Sequence, residues 1–406
     1  MEWKNKNILI TGISGFVGSY LAKEFVEKDS NVYGLVKIRS DNSKYKNLTD
    51  KSINNVNLIS GDLLDITSLD NAIEQSNPDF IFHLGAQSFV PRSFENSTET
   101  QAINGQGTSN LLDAIISKNI DAKVIFAGSS EEYGLIISSQ QQYEYAKKEY
   151  GTVFPEPTRI PEVPTNEKDP LRPMSPYAVS KVYGDYLMRN YYHSYGLNTV
   201  VSRAFNHEGA GRGLMFVTSV ITNQVTKYKL NHIDKISIGN INAFRDWSHV
   251  KDIIKGYITL AEKGKSGEVY NQGSMRTNSV LSYLLLSLEE SGYDIDKIET
   301  FNGEKTIKNP TQTDDSKVFG VNFNKTIVDY KMLEEELQYT LKDKGLNIFS
   351  GDKKIVVEFD KNRFRPAEVP ILFSNTAKLQ KLDYKIKYSL NNIIKDQIDY
   401  FSKENV

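Results

Sequence analysis

The first thirty residues limit the folds open to this chain more than any other stretch. An apolar run, Asn7-Ile8-Leu9-Ile10, leads into Thr11-Gly12-Ile13-Ser14-Gly15-Phe16-Val17-Gly18, and a helical pattern through Tyr20, Leu21, Phe25 and Val26 follows. A strand, a glycine-rich turn and a helix in that order make the first unit of a dinucleotide-binding sheet. The glycines let the backbone come close to a pyrophosphate, and the helix N-terminus meets its charge. The spacing is GxxGxxG rather than GxGxxG, so the placement between strand and helix carries as much of the reading as the glycines themselves.

The strand-and-helix pattern then repeats. Segments 32–36, 56–62, 80–88 and 122–128 read as strands, with helical stretches near 68–76 and 98–118 between them. Such alternation predicts an α/β, Rossmann-type doubly wound parallel sheet, whose ligand sits beyond the C-terminal strand ends. The second strand runs into Lys37-Ile38-Arg39-Ser40, with cations where an acid would hold an unphosphorylated ribose. Lys37 and Arg39 therefore favour NADP over NAD. Asp62, ending the third strand, is placed to accept from an adenine amino group. The small residues Gly85 and Ala86 fall where a nicotinamide ribose would lie.

Chemistry enters further along. Tyr177 and Lys181 lie four apart in a helical stretch that opens Ser175-Pro176-Tyr177, so phenol and ammonium share one face. A lysine in that place is expected to lower the phenol's pKa and make it a usable acid and base. Alone, such a pair is an ordinary surface feature. Here Ser129 comes straight off the fifth strand, where a doubly wound sheet carries its reactions, and the three residues form a catalytic constellation.

Composition excludes several other classes. Lys and Arg total 49 against 51 Asp and Glu, so no global field favours nucleic acid or a membrane surface. Cysteine is absent, which removes disulfides, thiolate nucleophiles and cysteine metal sites. Five histidines without HxxxH spacing argue against a catalytic metal. With no signal-peptide pattern and no apolar run of transmembrane length, a soluble cytoplasmic protein is expected.

The motifs TGISGFVG (11–18), GAQSFV (85–90), SSEEYG (129–134), SPYAVSKVYGDY (175–186), FNHEGAGRG (205–213), GNINAFRDWSHVKD (239–252) and RFRPAEV (363–369) occur in this order. Together they resemble an extended short-chain dehydrogenase/reductase acting on a nucleotide sugar, and are most similar to the GDP-mannose 4,6-dehydratase family. Carried onto matching positions, the resemblance implies a catalytic set of Ser129, Glu131, Tyr177 and Lys181. It implies a cofactor site of Gly12, Gly15, Phe16, Val17, Gly18, Lys37, Arg39, Asp62, Leu63, Gly85, Ala86 and His207, shared with Tyr177 and Lys181. Ser88, Ser130, Asn206, Arg212, Arg245, Arg365 and Glu368 would contact the substrate. Of these, Arg245 would face the sugar and pyrophosphate with Asn206, Arg365 would bind phosphate, and Glu368 the nucleotide ribose.

In the reaction so implied, Tyr177 takes the proton of the sugar 4-hydroxyl while hydride leaves C4 for bound NADP, and Ser129 hydrogen-bonds the oxygen. Glu131 then removes the C5 proton, the 6-hydroxyl leaves as water, and hydride returns to C6, giving the 4-keto-6-deoxyhexose. A C4 epimerase or a UDP-glucuronate decarboxylase of the same superfamily, and from another class a non-catalytic NADP-sensing scaffold, are the alternatives. The first has no use for Glu131, the second fits FNHE and RDW poorly, and the third typically loses the Tyr/Lys pair. Where the family has FVTRK and PRRG this chain has Phe216-Val217-Thr218-Ser219-Val220 and Ala210-Gly211-Arg212-Gly213, with three cations fewer. Base and sugar therefore stay open.

The expected organisation is a Rossmann domain from 1–205 and 236–263, and a smaller, discontinuous α/β substrate lobe from 206–235 and 264–406. Helices are expected near 277–291 and 389–403, and the assembly as a homodimer or homotetramer. Two insertions depart from the family. Residues 135–168 pair a polar helical stretch with a proline-rich extended one, tethered so as either to cover the pocket or to make a solvated surface excursion. Residues 303–360 contain a charged helix-like stretch, 332–341, and a hairpin turning at Gly351-Asp352.

Overall fold

The computed structural model describes residues 2–37, 46–48 and 55–405. Its main sheet has seven parallel strands. β1 (Asn7–Thr11) lies inside the sheet, β2 (Asn31–Val36) and β3 (Asn57–Ser60) follow on one side, and β4 (Phe80–His83), β5 (Lys123–Ser129) and β6 (Thr199–Ala204) on the other. Strand order reverses between β1 and β4, which is the crevice where doubly wound sheets bind ligands. The strands read as near-continuous apolar runs because helices cover both faces. On one face Ile8, Ile10, Phe25 and Phe82 pack together, and on the other Leu9, Ile81, Val124 and Phe126 do so.

The smaller lobe is built on a five-stranded sheet ordered Thr306–Lys308, Lys297–Thr300, Gly345–Ser350, Lys353–Phe359, Lys235–Ile238. Strands cross the expected boundaries in both directions. Val269–Gln272 pairs with β6 at the edge of the large sheet, Lys235–Ile238 pairs with Lys353–Phe359 in the small one, and Phe244–Arg245 pairs with Asn278–Ser279, which joins Arg245 to the smaller lobe. The helices Val280–Glu290 and Leu390–Glu404 fall where the sequence indicates them and bury Leu284, Leu288, Ile394 and Ile398.

The insertions part from expectation in two ways. The polar helix is present as Gln140–Tyr150, and residues 152–174 contain neither helix nor named strand. No residue of 135–168 lines the cavity described below, so the segment does not cover it. Instead Leu135, Ile137, Ala146 and Val153 form a small core of their own, and Thr165 pairs with Ser374 of the smaller lobe. In the second insertion the hairpin turns at Gly351, whose φ is +53°. The helix expected at 332–341 is displaced to Ile327–Leu333. Thr326 and Asp329 close a capping box at its start, and Glu335, at φ +61°, lies beyond its end. No helix among the described residues is long and apolar enough to cross a membrane.

Candidate active site

A cavity of about 1220 Å³ opens at the C-terminal tips of the large sheet, against the smaller lobe. That exceeds the roughly 300–1,000 Å³ of a site for one drug-sized ligand, and it leaves room for two ligands end to end.

The glycine turn forms one wall. Gly12 has φ +74°, and a Cβ there would lie 2.8 Å from the Gly85 nitrogen; one on Gly18 would lie 2.3 Å from the Gly12 carbonyl oxygen. Both contacts are with backbone, so only glycine lets the turn pack against the tip of β4 and α1 (Phe16–Val26) against the turn. α1 begins at Gly15 with no side-chain cap and no acid in its first turn. Gly12, Gly15, Phe16, Val17 and Gly18 line the cavity, so the helix's uncapped N-terminus, with its first N–H groups, borders it. This is the donor set that a dinucleotide's pyrophosphate requires, and the residues present fit it.

At the far end of that wall, Lys37 Nζ and Asp62 Oδ2 are paired at 2.7 Å, and the ammonium's hydrogen bond holds the carboxyl below the usual carboxylate range. Arg39, expected beside them, lies outside the described residues. Lys37, Asp62, Leu63 and Gly85 stand off the cavity lining, whereas Ala86 and Ser88 are part of it.

The catalytic candidates converge on the opposite wall. Ser129, Ser130, Glu131, Tyr177 and Lys181 all line the cavity, and each is at least nine-tenths buried. Two elements bring them together. β5 ends at Ser129, whose Oγ accepts from the Glu131 N–H at 3.2 Å, and a 3₁₀ turn, Ser130–Glu132, presents Glu131. The helix Pro176–Tyr195 starts at Ser175, whose Oγ accepts from the Ala178 N–H at 3.1 Å. With the first turn fixed, Tyr177 and Lys181 follow one above the other. Tyr177 hydrogen-bonds Ser129, and Lys181 Nζ donates to the Ala127 carbonyl at 2.7 Å.

The electrostatics correct one expectation. The Tyr177 phenol is not held low by its lysine. Burial pushes it up to about 12, and the hydrogen bond to Ser129 only partly offsets this. Burial likewise brings the Lys181 ammonium down to about 8. Desolvation outweighs the pair's mutual influence because Lys181 Nζ stands 5.9 Å from the Tyr177 ring and bonds a neutral carbonyl.

The third wall comes from the smaller lobe. Arg365 Nη1 is 3.5 Å from Glu131 Oε1 and 4.0 Å from Glu368 Oε1, and Glu368 is bonded to Arg245 at 2.7 Å. Arg245 also donates to the Phe244 and Val369 carbonyls, so its guanidinium is committed to the protein. A chain of alternating charge thus runs from Arg245 to Glu131, with Arg365 its most exposed member at 30%. Asn206 reaches the cavity with a buried Oδ1 that has no hydrogen-bond partner, an acceptor left for a ligand. His207 Nδ1 bonds the Phe205 carbonyl, and burial, then Arg212, brings the ring down to about 4, so it is neutral.

Several lining residues escaped the sequence reading. Phe89 and Phe216 meet edge to face at 6.1 Å, and the Arg212 guanidinium lies 3.4 Å from the Phe216 ring centroid. Glu208, bonded by Thr218 Oγ1 at 2.7 Å, holds Arg212 from the other side at 3.5 Å. The spacing Glu208, Arg212, Phe216 was the available signal.

Residues 8–273 match the model of the NAD dependent epimerase/dehydratase family. The chain belongs to that family. Among its relatives, a GDP-mannose 4,6 dehydratase of Dictyostelium discoideum is 30% identical over 98% of this chain and 96% of its own. A GDP-mannose 4,6-dehydratase of Yersinia enterocolitica is 31% identical over 93% of this chain and 88% of its own. Among solved structures, RMD from Pseudomonas aeruginosa complexed with NADPH superposes with a TM-score of 0.65 at 19% identity, over 98% of this chain and all of the other. The resemblance read from the motifs is thus borne out over nearly the full length. In this member of the NAD dependent epimerase/dehydratase family the glycine turn, Tyr177 and Lys181 line one cavity.

Proposed function

We propose that the protein is a nucleotide-sugar 4,6-dehydratase that works with bound NADP and converts an NDP-hexose, GDP-mannose in the first instance, to the 4-keto-6-deoxy product. One observation carries the reading. Glu131, a carboxylate, stands on the same cavity wall as Ser129 and Tyr177, where inversion at C4 alone would need no base. The relatives named above are dehydratases, which agrees with it.

Bound NADP would supply hydride exchange with the sugar; Gly12, Gly15, Phe16, Val17 and Gly18 would hold its pyrophosphate, Ala86 and His207 its nicotinamide end, and Lys37 its 2′-phosphate. The protein's own groups do the proton work. Tyr177 accepts the 4-hydroxyl proton, and Ser129 donates to the same oxygen. Lys181 stabilises the Tyr177 phenolate that must be present before the proton is taken, which matters because burial otherwise opposes that charge. Glu131 takes the proton at C5, made acidic by the adjacent ketone. Arg365 leaves Glu131 to meet the diphosphate, and Asn206 Oδ1 accepts from a sugar hydroxyl.

The test is incubation of the purified protein with a panel of GDP-, UDP-, CDP- and dTDP-sugars, read by mass spectrometry. A product lighter by one water supports the reading, while an isomer of unchanged mass would place the activity with C4 epimerisation. The dinucleotide is tested separately: NADP should bind more tightly than NAD, and Lys37→Ala with Arg39→Ala should remove the preference. Equal affinity of the unmodified protein for both would make these ordinary loop charges.

A further inference from the structure

Next to the catalytic wall lies a group of buried charges for which the mechanism above has no use. Glu132 and Asp185 are fully buried and Arg203 is 3% exposed. Arg203 Nε donates to Glu132 Oε2 at 3.1 Å and to Asp185 Oδ2 at 2.9 Å, while Asp185 Oδ1 meets Arg189 at 2.6 Å. The other Glu132 oxygen accepts from the Ser129 N–H at 2.7 Å. A Cβ on Gly128 would lie 2.7 Å from that oxygen, so glycine at this position leaves room for the carboxylate.

We propose that Glu132 is a positioning residue for the Ser129–Tyr177 pair, and that Glu132, Arg203 and Asp185 together lock the tip of β5 to the Tyr177 helix. The three sit on three elements: the turn after β5, β6, and the helix Pro176–Tyr195. Asp185 follows Tyr177 by eight residues and Lys181 by four, so it anchors the face that carries both. Glu132 grips Ser129 by its backbone, and the Ser129 Oγ is occupied as an acceptor by the Glu131 N–H. The hydroxyl proton is then free to point at Tyr177 or at a substrate oxygen. Close packing supports the same coupling, since a Cβ on Gly184 would lie 2.4 Å from Phe126 of β5. Burial first, then Asp185, pushes the Glu132 carboxyl up, and Arg203 pulls it the other way. A lone buried ion pair is weak evidence for stability, whereas a fixed relation between two catalytic elements is a use that needs directional bonds.

The inference rests on the dehydratase reading only in taking Ser129 and Tyr177 to act on substrate, and its test keeps the two apart. Crystal structures of the wild type and Glu132→Leu read the pair directly. Leucine fills the space but leaves the Ser129 N–H without its acceptor, so Ser129 Oγ should move out of reach of Tyr177. With GDP-mannose as substrate and NADP bound, kcat of Glu132→Leu should fall by about 10²-fold, the cost of a misplacement near 1 Å. KM and NADPH affinity should hardly change, and Glu132→Gln, which restores an acceptor, should recover most of the lost rate. If Glu132→Leu does not fold, Glu132→Leu with Arg203→Met leaves Asp185 to Arg189 and should show the same loss. An unmoved Ser129 in the variant's structure overturns the inference, whether or not GDP-mannose is turned over. So does a Glu132→Leu enzyme with wild-type kcat, or equal losses in the Leu and Gln variants that follow their thermal midpoints.

Discussion

Tyr177 and Lys181 work against their own burial. The phenol stands at about 12 and the ammonium at about 8, both because water has been excluded from the wall they share. Tyr177→Phe should lower turnover by ~10²–10⁴, the usual contribution of a placed acid or base, with NADPH affinity within a few fold by fluorescence titration. Lys181 gives a stability prediction of opposite sense. Its folded value of about 8 lies below the ordinary 10.5, so between the two the unfolded chain binds more protons and stability rises with pH. Below about pH 8 both states carry the charge, and its burial costs up to about 3 kcal/mol. Lys181→Met should therefore be inactive yet more resistant to denaturant at pH 7, and its advantage should shrink as pH rises from about 8 towards 10.5. A variant less stable than wild type at pH 7 would show that the Ala127 bond outweighs desolvation. These residues were legible in the sequence because helix geometry fixes what lies four positions away. Their pKa directions were not, since burial is a property of the whole fold.

The elements divide in the same way. β1, the glycine turn and α1 could be read because the turn's conformation admits only glycine at Gly12 and Gly18. The group Glu132, Arg203 and Asp185 could not, because its members are 71 and 18 residues apart and look like surface charges until β6 brings them under the Tyr177 helix. The helix sought at 332–341 was misplaced by its charge run, while the capping box at Thr326 and Asp329 stood six residues earlier. For the first insertion, tethering at both ends to catalytic elements did not indicate which way it would fold. Its anchor is Glu162, 1% exposed, which holds Arg172 through two bonds of 2.6 and 2.8 Å and accepts from the Ile137 N–H at 2.8 Å. Glu162→Ala strands a buried guanidinium and should cost roughly 3–5 kcal/mol by chemical denaturation. Because the segment stands off the cavity, the KM of the folded variant should stay at its wild-type value. A large KM change with little loss of stability would mean that the insertion reaches the substrate after all.

In the molecule as a whole, the two lobes line one cavity, and the groups proposed for chemistry and for recognition come from different lobes. The large sheet supplies the dinucleotide wall, Ser129, Glu131 and the Tyr177 helix. The smaller lobe supplies Arg245, Arg365 and Glu368, whose alternating charges end on Glu131. If Glu131 is the base at C5, solvent hydrogen must enter the product at that carbon. Turnover of GDP-mannose in deuterated water by the wild-type protein should give a product lighter by one water and labelled with deuterium at C5, and Glu131→Gln should form neither the product nor the label. An unlabelled C5, or full turnover by Glu131→Gln, would mean that Glu131 is not that base.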